Sequence, residues 1–171
     1  MIYDLVDEMD PILQEQMPVF DFKDPPIDPV ELATNLTETM LKNNGMGLAA
    51  PQCGLRYRCF VVAANPVIAV FNPRILDYTK TEELQIKLDE GCLSYPNIFL
   101  KVNRPRIIKV RYTMPNGQFT TEQFHGMTSR IFQHEFDHLE GVTMFDHVSR
   151  LQADRARTKA KKRLSKLVYN V

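Results

Sequence analysis

Leu32, Leu36 and Met40 recur at a spacing of four, which gathers them on one face of a helix and turns that face to a core. The helix start is marked just upstream. Asp28 suits the N-cap, Pro29 the first helical position, and Glu31 completes a capping box. The loop Phe22–Pro29 leads into this helix and Asn43-Asn44-Gly45 ends it. The pattern then changes. Arg58–Ala63 and Val67–Phe71 are β-rich runs parted at Asn65-Pro66, and Arg74–Glu83 reads as a further strand. Ile107–Thr113 and Gln118–Phe124 flank Pro115-Asn116-Gly117, the composition of a hairpin turn. Gly126 precedes a second helix that stops at Gly141, and a last helix covers roughly 150–168. Helices set apart from antiparallel strands predict an α+β domain.

The length of 171 residues suits one domain with one sizeable core. Net charge is zero, with 21 Lys/Arg and 21 Asp/Glu, so the whole chain has no general attraction to nucleic acid. The charge is unevenly placed. Residues 150–171 hold eight basic residues and one acid, Asp154, a balance of +7. Residues 1–149 hold the other 13 basic and 20 acidic residues, a balance of −7. The expected organisation is a body, 1–149, carrying a basic helical tail, 150–171, of the same domain. The first ten residues include Asp4, Asp7, Glu8 and Asp10 and no base, unlike a secretory or transit segment. The longest apolar runs, Cys59–Ala64 and Pro66–Phe71, are six residues each, too short to span a bilayer. Three cysteines without a CxxC pair do not make a disulfide framework. A cytoplasmic protein without a membrane partner is the expectation.

Candidate chemistry centres on His134-Glu135-Phe136-Asp137-His138. Two histidines four apart on a helix project from one face and can grip one metal ion. Glu135, one residue after the first, can reach a water at that ion and move its protons. Hydrolytic sites of this kind use three protein ligands and keep a fourth position open. The extended pattern HExxHxxGxxH fails here, because Met144 stands at its third ligand position. A downstream glutamate ligand fails too, since no glutamate follows Glu140. Asp146 and His147 remain open as downstream ligands. Upstream, Glu90-Gly91-Cys92-Leu93-Ser94 places a cysteine in a polar, glycine-flanked setting, and thiolate binds zinc and iron well. Cys53 and Cys59 read as buried apolar cysteines, and His125 as a turn or surface residue.

Three stretches together resemble peptide deformylase: Gly45-Met46-Gly47-Leu48-Ala49-Ala50-Pro51-Gln52, then Glu90-Gly91-Cys92-Leu93-Ser94, then Gln133-His134-Glu135-Phe136-Asp137-His138. Weaker similarity runs from Asp10-Pro11-Ile12-Leu13 to about Asp146. The resemblance implies antiparallel strands packed around the HExxH helix. It implies removal of the formyl group from the initiator methionine of nascent polypeptides, with release of formate. It implies one divalent metal on Cys92, His134 and His138: Fe2+, with Zn2+, Ni2+ or Co2+ able to take its place. It assigns proton transfer to Glu135, and stabilisation of the oxygen that gains charge to the Gln52 amide and the Leu93 backbone N–H. It sets Gly45, Met46, Gly47 and Arg104 beside the substrate; an ion pair at a strand end is the plainer reading of Arg104.

Two positions depart from the family pattern. Tyr95 stands where a small or aliphatic residue is usual, and is expected to alter the groove rim. Asn97 stands where glycine is usual, and is expected at positive φ. In the tail, Leu151, Ala156, Ala160, Leu164 and Leu167 are expected to face the body while the bases face outward, a surface suited to ribosomal RNA.

Overall fold

A computed structural model describes residues 1–78 and 85–168, with side chains as far as residue 165. The elements in chain order are α1 (Pro29–Lys42), β1 (Gly47–Ala49), β2 (Cys59–Val62), β3 (Ile68–Tyr78), β4 (Gln85–Cys92), β5 (Tyr95–Pro105), β6 (Ile107–Thr113), β7 (Phe119–His125), α2 (Gly126–Leu139) and α3 (Arg150–Val168). One antiparallel sheet has the order β1-β2-β3-β6-β7, and β4 and β5 form a separate hairpin. The domain is α+β, as the separation of helical and β-rich segments along the chain predicts. Among the described residues, no helix is long and apolar enough to cross a membrane.

The β2 run shows how the layers are made. Successive side chains of a strand point to opposite faces. Cys59 and Val61 join Leu32, Leu36 and Met40 of α1 on one face. Phe60 and Val62 join Phe132 and Leu139 of α2 on the other. Phe60 meets Phe132 edge-on, with ring centroids 5.0 Å apart. The second core also takes in Ile98, Leu100 and Val102 of β5, so α2 is held between the large sheet and the hairpin. A run apolar at every position is what a strand covered on both faces requires.

Local signals are met at several points. Asp28 caps α1, its carboxylate accepting from the N–H groups of Val30 and Glu31 at 2.7 and 3.2 Å, a contact worth about 1 kcal/mol. Gly117 has φ 82° in the β6–β7 turn, and Asn97 has φ 64° as expected. Other expectations need correction. The two runs Val67–Phe71 and Arg74–Glu83 form one strand, β3, through an irregular register between Phe71 and Arg74. Asn72 makes the join at φ 48°, its side chain bonding to the backbone N–H and C=O of Phe20 at 2.8 and 2.9 Å. Positions 79–83 of the expected strand lie outside the described residues. Strands β1, β4 and β5 were not anticipated.

The tail also differs from expectation. Ala156 and Ala160 do face the body, and Arg157 stacks over Phe145 at 4.2 Å. Leu151 and Leu164, however, are 58% and 47% exposed. Five residues carry a helix about 140° past its starting direction, so Leu151 cannot share the face of Ala156. The Leu167 side chain lies outside the described residues.

Candidate metal centre

Cys92 ends β4 where the β4–β5 register shifts, and His134 and His138 lie one turn apart on α2. The hairpin and α2 pack on each other and bring the three together. Their ligand-type atoms all lie within 4.8 Å of one another, the one such His/Cys/Asp/Glu group found among the described residues. Cys92 Sγ is 3.3 Å from His138 Nε2. Asp146 and His147 take no part. Asp146 accepts from the N–H and hydroxyl of Thr143 at 2.7 and 2.9 Å. His147 Nε2 lies 2.7 Å from Asp137 Oδ2.

Glu90 stands two residues before Cys92 on β4. Its Oε2 lies 3.1 Å from His134 Nδ1. A carboxylate there keeps the proton on Nδ1 and leaves the Nε2 lone pair for an ion. Arg104 grips Glu90 with two nitrogens, at 2.7 and 3.0 Å, and reaches Asp137 with the third at 2.8 Å. Arg130 adds a contact to Glu90 at 2.5 Å. Burial opposes the Glu90 anion, but the hydrogen bonds from His134 and Arg104 and the Arg104 charge hold its pKa at about 2. Arg104 was expected beside substrate. It is only 4% exposed, its guanidinium is committed to the two carboxylates, and it does not line the cleft. The ion-pair reading of Arg104 is the one its surroundings match.

Burial alone would raise the Cys92 thiol. The His138 charge and the hydrogen bonds from both histidines outweigh it and bring the group well below its usual range, so a thiolate is favoured. Burial pushes the Glu135 carboxyl up to about 7, against the opposing charges of His134 and His138. Glu135 Oε2 and His138 Nδ1 are buried polar atoms with no hydrogen-bond partner. Gln52 is held in place at both ends of its amide. Its oxygen accepts from the Ala49 N–H at 2.8 Å, and its nitrogen donates to Ser94 Oγ at 3.1 Å and lies 3.5 Å from Cys92 Sγ. Gly47 lies against Glu135, and an added Cβ would come within 2.8 Å of its Cγ and Cδ.

A cleft of about 420 Å³ opens over these groups. Gly45, Met46, Gly47, Gln52 and Leu93 border it, with Phe99 and Met127 exposed on its walls. Asn97 is on its rim. Tyr95, expected there, instead points into the core and meets Phe145 edge-on at 4.9 Å. His125 is exposed, Cys59 is buried, and Cys53 is half-buried. Sequence reasoning missed Ser94, Arg130, Asp137 and the hold of Glu90 on His134. Helical spacing carried a signal for two of them, since Arg130 and Asp137 stand four before and three after His134.

A family profile described as polypeptide deformylase matches residues 2–154. The peptide deformylase of Thermotoga sp. (strain RQ2) is 42% identical over 142 residues, 82% of this chain and 83% of that protein. The crystal structure of the Thermotoga maritima peptide deformylase superposes with a TM-score of 0.81 at 37% identity, covering 87% of this chain and 99% of that one. The actinonin complex of a Synechococcus elongatus peptide deformylase gives 0.83 at 32% identity, covering 93% and 86%.

Proposed function

The chain belongs to the peptide deformylase family, and from that premise we propose that Cys92, His134 and His138 hold its metal while Glu135 and Gln52 serve the reacting amide. It is a metal-dependent hydrolase that removes the N-formyl group from nascent polypeptides. The observation that carries the site assignment is one cluster of thiolate and two imidazoles, with a buried carboxylate and a fixed amide beside it.

The donor set fits a divalent ion. A depressed thiol, a histidine whose Nδ1 is held by a carboxylate and a second with Nε2 turned inward offer three lone pairs. Bound there, such an ion supplies Lewis acidity for hydrolysis of an amide. We take Fe2+ as the native ion; Zn2+, Ni2+ and Co2+ suit the same donors. Glu135 receives a proton from the attacking water and passes it to the departing amine, a role suited to a pKa near 7. One Gln52 N–H is held by Ser94 and the other is turned towards Cys92 Sγ, and with the Leu93 N–H it meets the formyl oxygen as charge develops there. The backbone of Gly45, Met46 and Gly47 borders the cleft and pairs with the substrate chain. Release of formate from formyl-Met-Ala-Ser tests this function. Turnover abolished by a chelator and restored by Fe2+ under anaerobic conditions is expected, and turnover indifferent to metal contradicts it.

Gly47→Ala is expected to push the Glu135 carboxylate aside. A displacement of about 1 Å costs on the order of 10²-fold in rate. Steady-state kinetics should show the loss in kcat, with metal content unchanged.

We place the chain in the cytoplasm and read 150–171 as a tail of the same domain as 1–149, since Ala156 and Ala160 pack into the core of the body. The exposed bases of α3 suit the phosphates of ribosomal RNA. Changing Lys159, Lys162 and Arg163 together to glutamate should abolish co-sedimentation with ribosomes at low salt and leave turnover of a short peptide intact. Unchanged co-sedimentation rejects the ribosome reading.

A further inference from the structure

Side chains beyond the three ligands form an unbroken line from the surface to His134. His147 Nε2 meets Asp137 Oδ2 at 2.7 Å. The same oxygen accepts from Arg104 Nη1 at 2.8 Å. The other two nitrogens of that guanidinium hold Glu90 at 2.7 and 3.0 Å. Glu90 Oε2 then lies 3.1 Å from His134 Nδ1. With both carboxylates ionised, Arg104 and Arg130 balance them, so the line is neutral when His147 is neutral.

The inner members are tightly enclosed, whereas the side chains of Asp137 and His147 are 19% and 31% exposed. Water competes for Asp137, and an ion pair at such a site adds little by itself. A second donor on the same oxygen, from a separate part of the chain, restricts the carboxylate further. His147 belongs to the short turn Met144–His147, which Asp146 pins through both Thr143 contacts. That gives the clamp a rigid base.

We propose that His147 is a positioning residue for the metal site. By clamping Asp137 it holds Arg104 in the fork that keeps Glu90 on His134, and so presents the His134 Nε2 to the ion. The inference rests on the ligand set proposed above. His147 touches neither substrate nor ion. Arg130 gives Glu90 a second grip, so losing His147 weakens the site without abolishing it. The expected loss in metal affinity is about tenfold, the lower end of the range for groups that hold a ligand in place.

Cobalt(II) affinity, measured by competition with a chelator, tests this in His147→Phe, His147→Gln and Cys92→Ser. Phenylalanine removes the donor and keeps a ring, while glutamine keeps an N–H donor. His147→Ala replaces the phenylalanine variant if that one does not fold. The proposal expects about tenfold weaker cobalt binding in His147→Phe, recovery to within about twofold of the native value in His147→Gln, and the same KM in both. Native affinity in His147→Phe overturns it, as does an equal loss in both variants, which would mark a packing role. Cys92→Ser keeps the two readings apart. If it binds cobalt as tightly as the native chain, the ligand set is wrong. If it loses cobalt while His147→Phe does not, the clamp alone is wrong.

Discussion

Glu135→Gln should lower kcat by about 10²–10⁴-fold, the usual contribution of a positioned acid–base group, with KM and metal content close to native. Glutamine has nearly the same shape, so it fits under Gly47, where an added Cβ would already collide. It cannot accept a proton at neutral pH. The variant also removes an ionisable group that burial disfavours, with one oxygen that finds no partner. The melting temperature should therefore hold or rise while turnover collapses. A variant that keeps at least a third of native kcat would remove Glu135 from the proton path.

Cys92→Ser should have an effect of similar size by a different route. Removing a group that merely holds a ligand costs about 10–100-fold in metal affinity, so removing a ligand should cost more than that. The serine hydroxyl is not depressed into an anion by two nearby histidines as the thiol is. Metal loss should track activity loss, and both should be measured on the same sample by metal analysis and formate release. A metalloprotease using Asp146 or His147 as its third ligand predicts little change. The positions of those two side chains, engaged with Thr143 and Asp137, also disfavour it.

Much of this was legible in the chain. The spacing of Leu32, Leu36 and Met40, the Asp28 cap and the β6–β7 turn are local signals that tertiary packing did not overrule. The grouping of Cys92 with His134 and His138 was legible through the family resemblance, since spacing alone left Asp146 and His147 open, and the three side chains do come together. Strand β5 was not. Its inward positions are Ile98, Leu100, Val102 and Arg104, and a charge in the fourth place breaks the alternation of apolar residues. Only Glu90 and Asp137, brought from two other elements, make an inward arginine tolerable. Tyr95 failed for a related reason. Its partner Phe145 lies fifty residues on, and nothing near Tyr95 shows which face of the hairpin it takes. In the tail, alanines rather than leucines make the contact, because small side chains let α3 approach β5 closely.

The most direct test is an anaerobic titration of metal-free protein with Fe2+, following formate release from formyl-Met-Ala-Ser after each addition. Activity should rise linearly and break at one equivalent per chain in the native protein, and neither rise nor break should appear in Cys92→Ser. A break at one equivalent that survives in Cys92→Ser, or full binding of one Fe2+ with no formate released, would contradict a Cys92–His134–His138 deformylase centre.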